Sequence, residues 1–120
     1  MIREKPHKKL DLWKNAIELV LQVYEVTKSF PREEEFGLKS QLRRAAVSVP
    51  SNISEGLTRA TRKDKLHFLN IAQGSLSELD AQLEISQQLT YIDEQQATKI
   101  GEVQTAVESL LSGLIRSLRQ

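Results

Sequence analysis

Two groupings in this 120-residue chain have side chains of the right type for catalysis or metal binding. Asp64-x-x-His67 sets a carboxylate and an imidazole three residues apart, on one face if the segment is helical. Two such pairs, with a further Glu from each remaining helix, make the di-metal site of some four-helix bundles. Here there is no second pair, and the other histidine, His7, falls near the N-terminus. Asp64 therefore reads as a helix-capping residue with His67 beside it on the surface. Ser48, Ser51 and Ser54 form the second grouping, but they surround Pro50 and lack the Gly-x-Ser-x-Gly elbow of a serine nucleophile. Their expected work is to satisfy backbone groups that the proline frees. Asn52 and Glu55 read as part of a local polar network near Arg59. The chain has no cysteine, so a thiolate nucleophile, a thiolate zinc site and a disulfide framework are all excluded. Its glycines are scattered and form no phosphate loop. Asn52-Ile53-Ser54 matches the glycosylation triplet, but no signal-peptide-like segment precedes it, and it is discounted. No enzyme activity, metal or cofactor is expected.

The basic residues carry a stronger signal. Net charge is only +1, yet residues 1–65 hold 14 Lys/Arg against 9 Asp/Glu, and residues 66–120 hold 3 against 7. Arg43 and Arg44 fall in one helical segment, and Arg59, Arg62, Lys63 and Lys65 surround the start of the next. Such groups neutralise phosphates of RNA or DNA without reading sequence. A helix N-terminus near Arg62 adds backbone N–H groups suited to an anion. The same asymmetry also fits charge drifting along a solvated surface. With six aromatic residues in all, and Trp13, Phe30, Phe36 and Phe68 reading as packing residues, a base-stacking platform is not expected.

These residues must be positioned by helices, because the apolar residues recur at helical spacing throughout and no strand-like alternation occurs. Residues 1–10 read as a basic mobile arm carrying Arg3, Lys5, Lys8 and Lys9, and residues 11–120 as one domain. Asp11 is expected to cap a first helix reaching about Ser29. Leu12, Leu19, Val23, Val26 and Phe30 make one stripe on it, and Trp13, Ala16, Ile17, Val20 and Tyr24 a second. Together they exceed the arc of about 100° that one core needs, which predicts a second buried side, either inside the bundle or against another subunit. Pro31 and Glu33 to Glu35 open a second helix. Its stripe of Leu38, Leu42, Ala45, Val49, Ile53 and Leu57 stays in phase past Pro50, so a kink is expected there. Thr61 with Asp64 predicts a capping box for a third helix bearing Leu66, Leu69, Ala72, Leu76, Leu79, Leu83 and Leu89. Gly74 in its middle fits either a closely approaching backbone or a glycine that is merely tolerated there. Asp93 caps a fourth helix whose Ile100, Val103, Val107, Leu110, Leu114 and Leu118 follow a heptad, widened by Leu111 and Ile115. Short connections between long helices predict an all-α, antiparallel up-down-up-down four-helix bundle. The predicted oligomer interface is Leu12, Trp13, Ile17, Val20, Tyr24, Leu111 and Ile115.

Three segments also carry a family resemblance: Asp11-Leu12-Trp13-Lys14 followed by Ala16, the run from Gln41 to Gly56, and the run from Phe68 to Leu79. They resemble the four-helix-bundle proteins encoded within intervening sequences of bacterial 23S rRNA genes, and the related accessory proteins of diversity-generating retroelements. The resemblance covers about residues 10–118. It implies a cytoplasmic bacterial protein that assembles as a homopentameric ring, associates with RNA or DNA through a basic surface, and has no catalysis of its own. In the retroelement branch it implies a reverse-transcriptase partner. Arg43, Arg44 and Arg59 lie within or beside the matching run; Arg62, Lys63 and Lys65 are added from charge alone. The reading is thus an oligomeric, non-enzymatic nucleic-acid-binding accessory protein, with a protein-interaction scaffold that binds no nucleic acid as the alternative. No membrane association is expected, since no apolar run nears the roughly 20 residues of a bilayer span.

Overall fold

The computed structural model describes Arg3 and residues 5–120; Met1, Ile2, Glu4 and the side chain of Lys9, and with them part of the expected arm, lie outside the described residues. Four helices carry the fold: α1 (Asp11–Thr27), α2 (Leu38–Leu57), α3 (Arg62–Gln88) and α4 (Glu94–Arg119). Single 3-10 turns occupy Pro6–Lys9 and Arg32–Glu34, and no strand occurs among the described residues. Helix α1 packs on α2 and α4, and α3 packs on the same two, so the contacts close a cycle around one core. That core includes Leu19, Leu42, Ile53, Leu69, Leu79 and Val107, each fully buried. No helix among the described residues is long and apolar enough to cross a membrane.

The helix ends depart from expectation where local chemistry offered two solutions. Asp11 is the first residue of α1 rather than its cap, a place taken by the extended Leu10, and the Asp11 side chain makes no capping bond. Its carboxylate still favours the positive end of the helix dipole. After Pro31 the chain makes only the short 3-10 turn, and α2 begins at Leu38, seven residues past the expected start at Pro31. Glu34 bridges the gap: one carboxylate oxygen accepts the Leu38 N–H at 3.0 Å and the other accepts the Tyr91 hydroxyl at 3.1 Å. The Thr61 hydroxyl accepts the Asp64 N–H at 3.1 Å. Asp93 and Gln96 make the full reciprocal box at the start of α4, at 2.7 and 2.9 Å.

Helix α2 is continuous through Pro50. The Ser48 hydroxyl does not turn to the backbone there; it meets the Ser75 hydroxyl of α3 at 2.7 Å and accepts from the Asn52 amide at 2.9 Å. On α4 the buried seam is Ile100, Gln104, Val107, Leu111 and Ile115, not the expected heptad, and Leu110 is exposed. A helix of 3.6 residues per turn drifts off a strict seven-residue repeat within two heptads, and a seam of threes and fours weighted to four follows the core instead. Leu89, expected on the third helix, lies just past its end and is exposed.

Candidate nucleic-acid interface

Cross-helix contacts decide which cations are neighbours. Trp13 and Ile17 of α1 line one groove with Pro50 and Ser54 of α2, so the start of α1 lies beside the end of α2. A Cβ on Gly56 would stand 3.1 Å from the Lys65 carbonyl and 3.3 Å from the Leu69 side chain, which puts the end of α2 against the start of α3. Gln73 and Ser112 face each other at 3.5 Å, so the early part of α3 runs beside the late part of α4. These neighbourhoods bring the N-terminal turn, the α2–α3 connection and the end of α4 to one end of the molecule. Residues 10–14, 55–67 and 112–120 there carry seven basic against three acidic residues, and Lys5, just before the 3-10 turn, and Lys8, within it, add two more cations. The opposite end, residues 24–37 and 80–102, carries nine acidic against three basic residues.

At the basic end Arg62 and Lys63 are exposed, in the first turn of α3. Lys65 is half-buried, and its ammonium reaches the Leu57 carbonyl at 3.4 Å, tying the connection together. Arg59 pairs with the Glu55 carboxylate and lies over the Phe68 ring, 4.8 Å from its centre. Both contacts hold the guanidinium in place while leaving it exposed. Lys14, Arg116 and Arg119 join this group through the fold alone. Lys14 lies 102 residues before Arg116 in the chain, and no local pattern joins it to the two C-terminal arginines.

Arg43 and Arg44 do not belong to this end. The Arg43 Nε donates to the Thr27 hydroxyl at 2.8 Å, a terminal nitrogen donates to the Tyr24 carbonyl at 3.2 Å, and the group lies 4.4 Å above the Tyr24 ring. Helix α1 has no basic residue in its own last turn, and Arg43 supplies that charge from α2. Arg43 is thus a tie between helices. Arg44, one residue on, is exposed.

The predicted interface residues divide. Leu12 (5% exposed), Leu111 (0%) and Ile115 (3%) are core residues of this chain, which corrects their assignment to an oligomer interface. They lie on the inward arc of their helices, leaving no surface for another copy. Trp13, Ile17 and Val20 are half-buried and Tyr24 is exposed; with Val47 they line the outer groove between α1 and α2. Phe36 (95% exposed) extends this apolar band. Sequence periodicity had marked α1 as too apolar for one core, but it could not separate inward from outward stripes.

Part of the N-terminal segment packs on α1. His7 is 8% exposed, its ring edge-on to Trp13 at 5.0 Å, with Nε2 lacking a hydrogen-bond partner. Burial first, then the charges of Lys5 and Lys8, holds its imidazole below the ordinary histidine range. His67 stands edge-on to Phe68, and no three metal-ligating side chains cluster among the described residues.

Four packed helices, with no strand among the described residues, make this an all-α protein by class. A model of the family described as 23S rRNA-intervening sequence protein matches residues 8–113, and the chain belongs to that family. It is similar to a crystal structure from Bacteroides thetaiotaomicron, described as a protein with unknown function from the S23 ribosomal protein family. Identity is 26%, over 88% of this chain and 95% of the other, with a TM-score of 0.81. No curated protein matches the chain.

Proposed function

We propose that this chain is a non-enzymatic, nucleic-acid-binding subunit of a ring-forming homo-oligomer, which holds RNA or DNA phosphates with its basic end. The observation that carries the reading is the convergence of Arg59, Arg62, Lys63, Arg116 and Arg119 from two separate stretches of chain, opposite an acidic end. This reading takes the bundle as antiparallel, up-down-up-down, with α2 bent at Pro50. The pairs Arg43–Thr27, Ser48–Ser75 and Gln104–Leu76 support the first part, and the donor that Pro50 lacks supports the second. RNA is the favoured polyanion because the family is described by 23S rRNA. A reverse-transcriptase partner, implied by the retroelement resemblance, would meet the same protein at another surface.

Binding to a short RNA duplex should fall by about a thousandfold between 50 and 200 mM salt if about six phosphates are neutralised. Joint reversal of Arg59, Arg62, Lys63 and Arg116 to Glu should abolish binding while the helical circular-dichroism signal stays. Undiminished affinity for both RNA and DNA in that variant would refute the reading. The apolar band along α1 and α2 favours a second reading, a protein scaffold. A stable assembly with no measurable affinity for any nucleic acid would select it.

A further inference from the structure

We propose a second binding site, for a nucleotide, where the α1–α2 groove meets the start of α2, with the base stacked on Phe36 and the phosphate held by Arg44 and Lys39. Phe36, expected among the packing residues, is instead 95% exposed. Its turn is nonetheless fixed. The Leu38 N–H donates to the Glu34 carboxylate at 3.0 Å, and the Gly37 N–H to the Glu34 carbonyl at 3.1 Å. A Cβ on Gly37 would stand 2.8 Å from that carboxylate, so the chain crosses it closely there. The turn thus holds an aromatic face open to solvent, which is the element on which unpaired bases stack.

The groove beside the ring supplies the rest. Lys39, Ser40, Arg43 and Arg44 of α2 line it beside Phe36, with Tyr24 contributed by α1, and its volume is about 460 Å³. That lies within the range of about 300–1,000 Å³ usual for small-ligand sites. Phe36, Ser40, Arg44 and Val47 recur at helical spacing and share one face, and helical side chains slant toward the N-terminus, which brings Arg44 back toward the ring. The rise from Leu38 to Arg44 is about 9 Å, and an arginine reaching back along it leaves the base-to-phosphate span of one nucleotide. Three cations line the groove against one carboxylate, Glu35. Arg43 is committed to Thr27 and Tyr24, so its charge adds to the field without reaching the ligand. Arg44 is exposed and, among the described residues, makes no ion pair; its planar fork suits a phosphate. The Lys39 ammonium is held by Glu35 at 2.9 Å, with its side chain only 17% exposed, so it stays at the groove and an incoming phosphate shares it. A flat ring and an anion at this span describe a nucleotide, either free or as an unpaired unit of a strand. The site is separate from the basic end and does not depend on the phosphate contacts proposed there.

The test uses the full chain with AMP, ribose 5-phosphate and a short single-stranded oligoadenylate RNA. Titration calorimetry reads the first two, and fluorescence anisotropy the labelled strand. Strand binding is read in the variant with Arg59, Arg62, Lys63 and Arg116 changed to Glu, so that the basic end does not contribute. Ribose 5-phosphate keeps the phosphate but lacks the base, and should bind about tenfold more weakly than AMP. Phe36→Leu should weaken AMP and strand about tenfold, because leucine keeps the apolar bulk without a π-face, whereas Phe36→Tyr should stay within about twofold of wild type. Arg44→Glu should abolish binding of both. A strand that outbinds AMP names an unpaired strand as the source of the ligand, and one that does not names a free nucleotide. Circular dichroism on each variant separates loss of the site from loss of fold. If Phe36→Leu binds AMP and strand as wild type does, or ribose 5-phosphate binds as well as AMP, the stacking site is overturned. Absence of binding to AMP and to the strand overturns it as well, and leaves the reading of the basic end standing.

Discussion

Replacing Arg43 by alanine should cost stability and leave phosphate binding intact, the reverse of what a surface cation at a nucleic-acid site would do. The side chain makes two charge-assisted hydrogen bonds, to the Thr27 hydroxyl and the Tyr24 carbonyl, and one ring contact with Tyr24. Hydrogen bonds from a charged donor contribute about 1.5–3 kcal/mol. An exposed cation–π contact adds about 0.5–1 kcal/mol, and a cation at a helix C-terminus about 0.3–1 kcal/mol. Arg43 is only half-buried, so solvent screens these terms, and Thr27 keeps its own bond to the Val23 carbonyl. A net loss of about 2 kcal/mol follows, or about 8 °C in Tm for a domain of this size. Arg43→Lys should lose roughly half as much, because it keeps the charge but not the planar fork. Thermal melts read the stability, and fluorescence anisotropy of a labelled RNA at several salt concentrations reads the phosphate contacts. If Arg43→Ala melts within about 1 °C of wild type but flattens the salt dependence by one unit, the tie is refuted and Arg43 is a phosphate ligand after all.

Two glycines should respond to alanine in opposite directions. Gly101→Ala in α4, where a Cβ meets nothing within 4 Å, should stabilise by about 1 kcal/mol, whereas Gly56→Ala should destabilise despite the same gain in helix propensity. Its new Cβ would press on the Lys65 carbonyl, backbone that cannot rotate away, and denaturant midpoints would show both signs. The docking of the N-terminal turn should depend on pH. Burial and the neighbouring lysines lower the His7 pKa in the folded turn, so docking is complete above the ordinary value of 6.5 and weakens as pH falls below it. Trp13, the chain's single tryptophan, reports the change by fluorescence, and a titration that is unaltered in His7→Phe would contradict this account.

Much of the fold was legible because local rules and tertiary demands agree in it. Four helices with apolar faces, the Thr61 and Asp93 caps and the Phe30-Pro31 break each follow from interactions within a few residues, and the structure has all of them, though the seam of α4 runs through other residues than the expected heptad. Cap choice at Asp11 and the late start of α2 were not legible. Each was decided by a partner elsewhere, as when Glu34 divides its carboxylate between Leu38, four residues on, and Tyr91, 57 residues on.

The basic cluster shows the same division. Sequence by itself determined that cations gather in the first half of the chain and around the α2–α3 connection, since charge can be counted without a fold. Only the tertiary structure decided which of them share a surface. Packing removed Arg43 to the C-terminal end of α1, added Lys14, Arg116 and Arg119 to Arg62 and Lys63, and turned Leu12, Leu111 and Ile115 inward. The physical reason is that helical periodicity fixes angles around one axis. Which arc faces the core, and what stands beside it, depends on how the axes pack.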